Sequence, residues 1–569
     1  MRTSRSRRAR SAVALLAPWP SCEPLEGRQL FSTYTVTTLG DGAGSIVSGG
    51  SDRYYASTLR AALVAANKHA GTDTIQFKAG LTGTVGLGSP LPRVNDSVNV
   101  FGPGANKVTV RRSASATFRL LDVAAGKTVK VSGLALKNGA VDPTDPSDAN
   151  GGGILNAGTL TLTECLLSGN TAYRDGAAVA NFGKLTVARC TFDANVASGG
   201  NTGSGGGLFN SDAATATLVD CTFSNNYGLD AGAVHNRGSL SATGCTFSGN
   251  AGEYAGAIMQ SVSAPSSLRL ANCTIAGNAA FYSGGAIYVA PIEPGDAPAT
   301  ISLLNCTVVR NDSGGDDTGA PTSRYPALAA GAPVTLVNTI VAGNTSTNAA
   351  TGAVSAADIG GTIKAAASFN NVIGTGGSGG LANGANGNKV GVAVAALKLG
   401  SLTDNGGPTK TVTLGAGSVA INAGLSSAAA NAKLFADQRG FQRKSGGTVD
   451  VGAYEAQSAG GASVSGTFFD DANRSGSRQT GEPGLGGWQA YVDANRNGVY
   501  DAGERSAYSN SSGYYKFTGL AAGTYRIYEV RKDGWVRTKP SGAYPSGYYD
   551  VTVSGTQAVT GKDYGNYLG

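Results

Sequence analysis

The sequence predicts an all-β protein in which a right-handed parallel β-helix is followed by a small β-sandwich. Three observations carry that expectation. A strand-pair pattern recurs seven times between residues 160 and 344. Glycine supplies 86 of 569 residues while charged residues supply only 14%, a balance that suits many short strands joined by tight turns. Beyond residue 463 the composition shifts to frequent Tyr and Trp with alternating strands. The domain reading is a leader at 1–32, a cap and first coils at 33–145, repeated coils at 146–345, C-terminal coils at 346–457, a linker at 458–463 and the sandwich at 464–569.

The repeat comes first, because a missed period miscalls the fold. Six cysteines, Cys165, Cys190, Cys221, Cys245, Cys273 and Cys306, stand in near-identical surroundings such as LTLTECLLSGN and LTVARCTFDAN, and are 24 to 33 residues apart. A seventh copy, VTLVNTIVAGN, carries Thr339 in the cysteine's place. Apolar residues lie at −5, −3, 0 and +2 relative to the cysteine, as with Leu160, Leu162, Cys165 and Leu167. Steps of two keep side chains on one face of a strand. The single step of three reverses the phase, so both halves face inward only if the chain bends between two short strands. Two strands meeting at a corner in every period indicate a solenoid coil.

At +5 stands an asparagine in every copy: Asn170, Asn195, Asn226, Asn250, Asn278, Asn311 and Asn344. Stacked turn asparagines can satisfy backbone groups and tolerate left-handed geometry. Upstream lies a glycine-apolar element, GGGILN in the first copy, whose Ile154, Val179, Leu208, Val234, Ile258 and Ile287 point inward. Three inward-facing segments per coil follow, and seven coils about 4.8 Å apart make a rod of roughly 35 Å. Evenly spaced cysteines in an exported chain also suit disulfides. Their shared inward position, and a Thr339 that could not bridge, favour a buried ladder of small apolar side chains.

The formal charge of +7 owes +4 to the first 32 residues, where six arginines face two glutamates. The remainder is spread thinly, which argues against a nucleic-acid footprint. His69 and His235 are the only histidines, which disfavours His-dependent triads and His-rich zinc sites. The Arg-rich start runs into a short apolar stretch, Ser11 to Trp19, and then into PLEGRQLFS. The apolar stretch is far too short to span a bilayer and reads as an export signal; LEGRQLFS resembles the leader motif of exported planctomycete-type proteins. The expected location is secreted or extracellular, with no transmembrane segment.

Further resemblances attach to quoted motifs. The GGAI elements with Phe-x-x-Asn, as in Phe192–Asn195, Phe223–Asn226 and Phe247–Asn250, resemble repeats of chlamydial-type polymorphic outer-membrane proteins, whose β-helix is shared with pectate lyases. The stretch YTVTTLGDGAGS…STLRAALVAANKHAGTDTIQF resembles the CSLREA motif of bacterial β-helix surface proteins, with Ser57 at its cysteine. Within it Leu59, Leu63 and Ala66 share a helix face that Ser57 or Thr58 can cap, a suitable lid for an open solenoid end. The ordered blocks FNNVIG, SLTDNGGPTKTVTL, SVAINAG, DQRGFQR and GTVDVGAYE look like the choice-of-anchor Q domain of cell-surface proteins. Asp437, Arg439, Arg443, Asp450 and Glu455 in these blocks are read as ion-paired scaffolding rather than catalytic groups.

In the C-terminal module, DANRSGSRQTGE and DANRNGVYDAGE fit the twelve-residue calcium-loop template, with oxygens at positions 1, 3 and 5, glycine at 6 and glutamate at 12. Calcium is a hard cation that takes six to eight oxygens, so alternating Asp, Asn and Ser side chains with a terminal Glu suit it. The candidate Ca2+ ligands are Asp493, Asn495, Asn497, the Val499 carbonyl, Asp501 and Glu504, and, in the first loop, Asp471, Asn473, Ser475 and Glu482. GYYKFTGLAAGTYRIYEV reads as two strands around a turn, and Trp488 and Trp535 as core. The module resembles the B domains of serine-aspartate-repeat adhesins, Ig-like sandwiches of the Cna-B kind, and that resemblance implies a calcium-stiffened stalk.

The function expected is a non-catalytic, monomeric, secreted or surface-displayed structural or adhesion protein whose partners are extracellular polysaccharide or cell-surface components. The alternative is a polysaccharide-binding, or polysaccharide-degrading lyase or hydrolase, β-helix. Fold alone is a weak warrant for catalysis, and Asp175, Asp193 and Asp230 do not fall in one line of the sequence repeat. Exposed Tyr227, Tyr254, Phe281 and Tyr282 would serve a carbohydrate-binding surface.

Overall fold

A computed structural model describes residues 31–568 except 143–148, 200–202, 263–264, 295–298, 316–325, 458–460, 502–503, 511, 533 and 541–546. Residues 1–30 of the proposed leader, with Cys22, and half of the proposed linker lie outside the described residues. The chain is all-β, and its N-terminal two thirds form the right-handed parallel β-helix. The repeat positions stack in file: Ile154, Val179, Leu208, Val234, Ile258 and Ile287 pair successively, as do Leu167, Phe192, Phe223, Phe247, Ile275 and Val308.

The bend implied by the step of three is made by one residue. Glu164, Arg189, Asp220, Asn272, Asn305 and Asn338, each just before the cysteine position, have φ between 49° and 53°, and Gly244 has φ 70°. A left-handed residue turns the chain sharply enough for the cysteine to face inward again. Asparagine recurs there because its short polar side chain tolerates that region.

The sheets divide differently from the sequence reading. The glycine-apolar strand, Ile154–Asn156, and the strand Thr159–Thr163 both belong to one 21-stranded sheet. Leu166–Ser168 lies in a second sheet, and a third begins with five two-residue strands, Thr171–Ala172 the first of them, that follow the Asn turns. Strands that short, made of small residues, leave no periodicity to read.

Two polar ladders run through the coils. Each +5 asparagine is fully buried, and its Nδ2 donates to the Oδ1 of the next, at 2.8–2.9 Å from Asn170 through Asn344. Asp358 closes the file, accepting from Asn344 Nδ2 at 2.9 Å. A second file, Asn156, Asn181, Asn210, Asn236 and Gln260, is linked in the same way at 2.6–2.7 Å. Phe192 and Phe223 stack with centroids 4.3 Å apart, and Phe223 and Phe247 at 5.1 Å.

All six repeat cysteines are buried and unpaired, and Thr339 Oγ1 accepts the Cys306 N–H as the Cys190 sulfur accepts that of Cys165. Thiol titration should therefore find these six groups unreactive in the folded chain. They should all titrate after unfolding without reductant, whereas thiols appearing only after reduction would mean bridges.

The helix Leu59–Ala66 is capped by Thr58, whose hydroxyl accepts from Ala61 N, and Leu59 and Leu63 enter the core beside Leu91, Val100 and Leu134. Past residue 394 the chain folds back along the outside of the coils. Gln438 pins this return: its Nε2 donates to the Cys245 carbonyl and the Thr246 hydroxyl, and its Oε1 accepts from Thr274 Oγ1 at 2.6 Å.

The C-terminal module packs a five-stranded sheet on a four-stranded one around Val464, Phe468, Trp488, Phe517, Ile527 and Tyr564. Tyr514–Leu520 and Gly523–Glu529 adjoin in sequence yet belong to different sheets. Trp488 is core; Trp535 is partly buried and meets it edge-on at 5.2 Å.

Candidate functional sites

The two candidate calcium loops follow the strands Ala462–Asp470 and Gln489–Val492, and they repeat one hydrogen-bond pattern. Asp471 Oδ1 and Oδ2 accept from the N–H groups of Ser475 and Gly476 at 2.9 and 2.8 Å; Asp493 takes those of Asn497 and Gly498, both at 3.0 Å. Asn473 and Asn495 accept from the same position-5 amides at 3.0 Å. Arg474 and Gly476, like Arg496 and Gly498, adopt positive φ, which winds each chain around its acidic residue. Glu482 and Glu504 reach back to the position-9 amides of Gln479 and Asp501, at 2.9 and 3.2 Å.

Asn495 and Asn497 converge on Asp501 Oδ2, at 2.6 and 2.8 Å, and Val499 turns its side chain to solvent. Gln479 occupies the place of Asp501 in the first loop, where its Oε1 accepts from Asn473 Nδ2, an oxygen that the sequence reading did not include among the candidate ligands.

Among the described residues no group of three or more His, Cys, Asp or Glu forms a metal cluster. A cation here would therefore draw on Asn, Ser and carbonyl oxygens too. Two observations fit such a cation. Glu482 Oε1 is buried without a hydrogen-bond partner. Glu504 is pushed above the usual carboxylate range by burial first and then by neighbouring Asp493 and Asp501, a repulsion that a bound cation relieves.

Asp437, Arg439, Arg443, Asp450 and Glu455 are all buried. Arg439 grips Asp437 Oδ2 with Nε and Nη2 at 2.9 and 2.7 Å and lies 3.6 Å from the Tyr454 ring centroid. Glu455 accepts from the backbone of Ser445 and Asp450 at 3.0 and 2.8 Å, and burial pushes its carboxyl up to about 8. These groups hold the returning segment in shape.

The left-handed corner residues also anchor the module. Lys532 Nζ lies 2.7 Å from Glu164, which also pairs with Arg189 at 3.1 Å; Arg189 donates to Gln489 at 3.3 Å, and Tyr508 donates to Asp220 at 3.1 Å. Burial pushes Asp220 up to about 7, against the opposing pull of Arg189 and the Tyr508 hydrogen bond. A carboxyl whose folded pKa lies above its unfolded value stabilises most when protonated, so its contribution is lost as pH rises through about 7. The melting temperature should fall between about pH 5 and about pH 8, and Asp220→Asn should flatten that slope. Glu529 and Glu455 titrate in the same direction in both proteins, so the difference in slope reports Asp220.

The opposite flank gathers residues that the sequence scattered. Tyr254 lies 5.6 Å from Tyr282 and 6.1 Å from Tyr288, and Phe281 meets Tyr282 edge-on at 4.8 Å. Tyr254, Phe281 and Tyr282 are exposed. Tyr227 is half-buried, outside this group of ring contacts. On the same run of turns, some coils before the rings, Asp175 is pushed up to about 6, chiefly by burial and further by Asp230, which in turn feels Glu253. His235, kept neutral by burial that pulls it down to about 3, is bracketed by the Ser204 and Ser261 hydroxyls. Asp193 lies apart, bonded to Ser224 and Asn225. Unequal coil lengths hide from a linear repeat that Asp175, Asp230 and Glu253 influence one another electrostatically.

Residues 132–323 match the family model for the right handed beta helix region. Among solved structures, the chain is similar to the A-modules of two mannuronan C-5 epimerases of Azotobacter vinelandii. AlgE6 is 16% identical, with 59% of this chain and 93% of that one covered and a TM-score of 0.28. AlgE4 is 13% identical, with 58% and 90% covered and a TM-score of 0.27. No curated protein matches the sequence. Because both neighbours are enzymes, the expectation that the chain is not an enzyme is withdrawn; their activity is not carried over to this chain. No helix of the described residues is long and apolar enough to cross a membrane.

Proposed function

We propose that the chain is an exported, surface-displayed structural or adhesion protein, with a calcium-stiffened module, that holds extracellular polysaccharide along its aromatic flank. The supporting observation is the contiguous group Tyr254, Phe281, Tyr282 and Tyr288. Exposed aromatic patches rimmed by polar groups mark interaction surfaces. Rings offer flat faces to sugar C–H groups, and Asp230 and Glu253 alongside Tyr254 can accept from hydroxyls. Retention on insoluble cellulose, xylan or pectin is the test. The full chain should be held by at least one of them, and Tyr254→Ala with Tyr282→Ala should release it. Absence of retention, or equal retention of the variant, refutes the reading.

A polysaccharide lyase or hydrolase is the second reading, favoured by Asp175, which burial and the charge of Asp230 push up to about 6, toward the protonated form that a general acid needs. New reducing or unsaturated ends in the same incubations, lost in Asp175→Asn, would establish it.

A further inference from the structure

We infer that the cavity between the returning segment and the β-sandwich binds a small amphipathic anion, its acidic head held by Arg443 and Arg505 and its apolar body by the surrounding wall. The cavity holds ≈ 510 Å³, within the range of small-molecule sites. Ala429, Leu434 and Val449 line one side; Val492, Ala494 and Tyr525 line the other. Such a mainly apolar wall with few charged groups suits a ligand with one polar end.

The two arginines supply the anion specificity. Both line the cavity, at 1% and 5% exposure. Arg443 reaches it from the returning segment, where Nη2 donates to the Gly452 carbonyl, while its Nε and Nη1 have no hydrogen-bond partner. Arg505 reaches it from the sandwich, where Nη2 donates to the Thr518 carbonyl, and its Nε and Nη1 are likewise unpartnered.

Unsatisfied buried donors on charged groups are costly, and Arg443 and Arg505, which both line this cavity, carry four of them, so an acceptor brought to these side chains would offset that cost. The chain's own carboxylates are engaged elsewhere: Asp437 with Arg439, Glu455 with the Ser445 and Asp450 amides, and Asp450 with the Asn422 and Ala456 amides. Burial pushes Glu455 up to about 8, so of the carboxyls that face Arg443 electrostatically it is the one least able to offset the arginine's charge at neutral pH. Lys444, exposed at the cavity, adds a further positive charge.

Isothermal titration of the full chain with octanoate tests this, with octan-1-ol as the uncharged comparator. Octanoate should bind saturably at one site and octan-1-ol much more weakly. Arg443→Gln and Arg505→Gln should each weaken octanoate by about tenfold or more. Because a buried arginine can also matter for folding, Ala430→Trp, at an exposed lining position, provides the second variant. It should abolish binding with the melting temperature unchanged. The inference is overturned if octanoate shows no saturable heat, if octan-1-ol binds as tightly, or if Ala430→Trp binds like the parent chain.

Discussion

Asn226→Ala should cost the β-helix about 3–5 kcal/mol, far more than its few side-chain atoms suggest. Its Oδ1 accepts from both the backbone N–H and the Nδ2 of Asn195, at 3.1 and 2.8 Å, and its Nδ2 donates to the Phe192 carbonyl at 3.0 Å and to Asn250 at 2.9 Å. Truncation strips partners from the coils on both sides at once, in an interior that water does not reach. Each buried donor or acceptor left unpaired costs about 1–3 kcal/mol. The neighbouring Asn225 is exposed, with φ 54°, so Asn225→Gly should shift stability by less than about 1 kcal/mol. Coils contact mainly their neighbours, so the loss should appear first as hydrogen exchange centred on coils 190–250 and then in urea unfolding. Equal effects of the two substitutions would show that the file does not carry the stability ascribed to it.

The same residues show what the sequence makes legible. Leu160, Leu162, Cys165 and Leu167 announce a coil because burial recurs at fixed offsets, and the step of three requires a corner that Glu164 and its equivalents provide by turning left-handed. The second ladder, beginning at Asn156, has the same regularity but sits at the end of a three-residue strand, where a polar residue reads as a turn. Contacts between distant segments leave no local trace. Lys532 meets Glu164 across 368 positions, and neither residue's surroundings require the other. The aromatic flank is obscured for a related reason: coils of unequal length slide these turn residues out of linear register while stacking brings them together. In the calcium loops, positions 1, 3, 5, 6 and 12 are legible from residue type alone. Whether the oxygens converge depends on the positive φ at Arg474 and Arg496, which no simple composition rule anticipates.

Saturating calcium should raise the melting temperature of the C-terminal module well beyond any change in the coils. A site filled at 100 times its dissociation constant adds about 2.7 kcal/mol, so two independent sites add about 5 kcal/mol. Trp488 and Trp535 both lie in the module and Trp19 falls before the β-helix, so tryptophan fluorescence of the full chain follows the sandwich while far-ultraviolet dichroism follows mainly the coils. Chelator should lower the fluorescence midpoint and leave the dichroism midpoint nearly unchanged. Asp493→Asn with Glu504→Gln should remove the larger share of the calcium shift, because the second loop brings Asp501 to position 9 where the first brings the neutral Gln479. Fewer negative ligands weaken the hold on a divalent cation, so the first loop should fill at higher calcium. Coincident midpoints in calcium and in chelator would mean that the paired loops are held by their own hydrogen bonds alone, with the unpartnered Glu482 Oε1 left as an uncompensated cost.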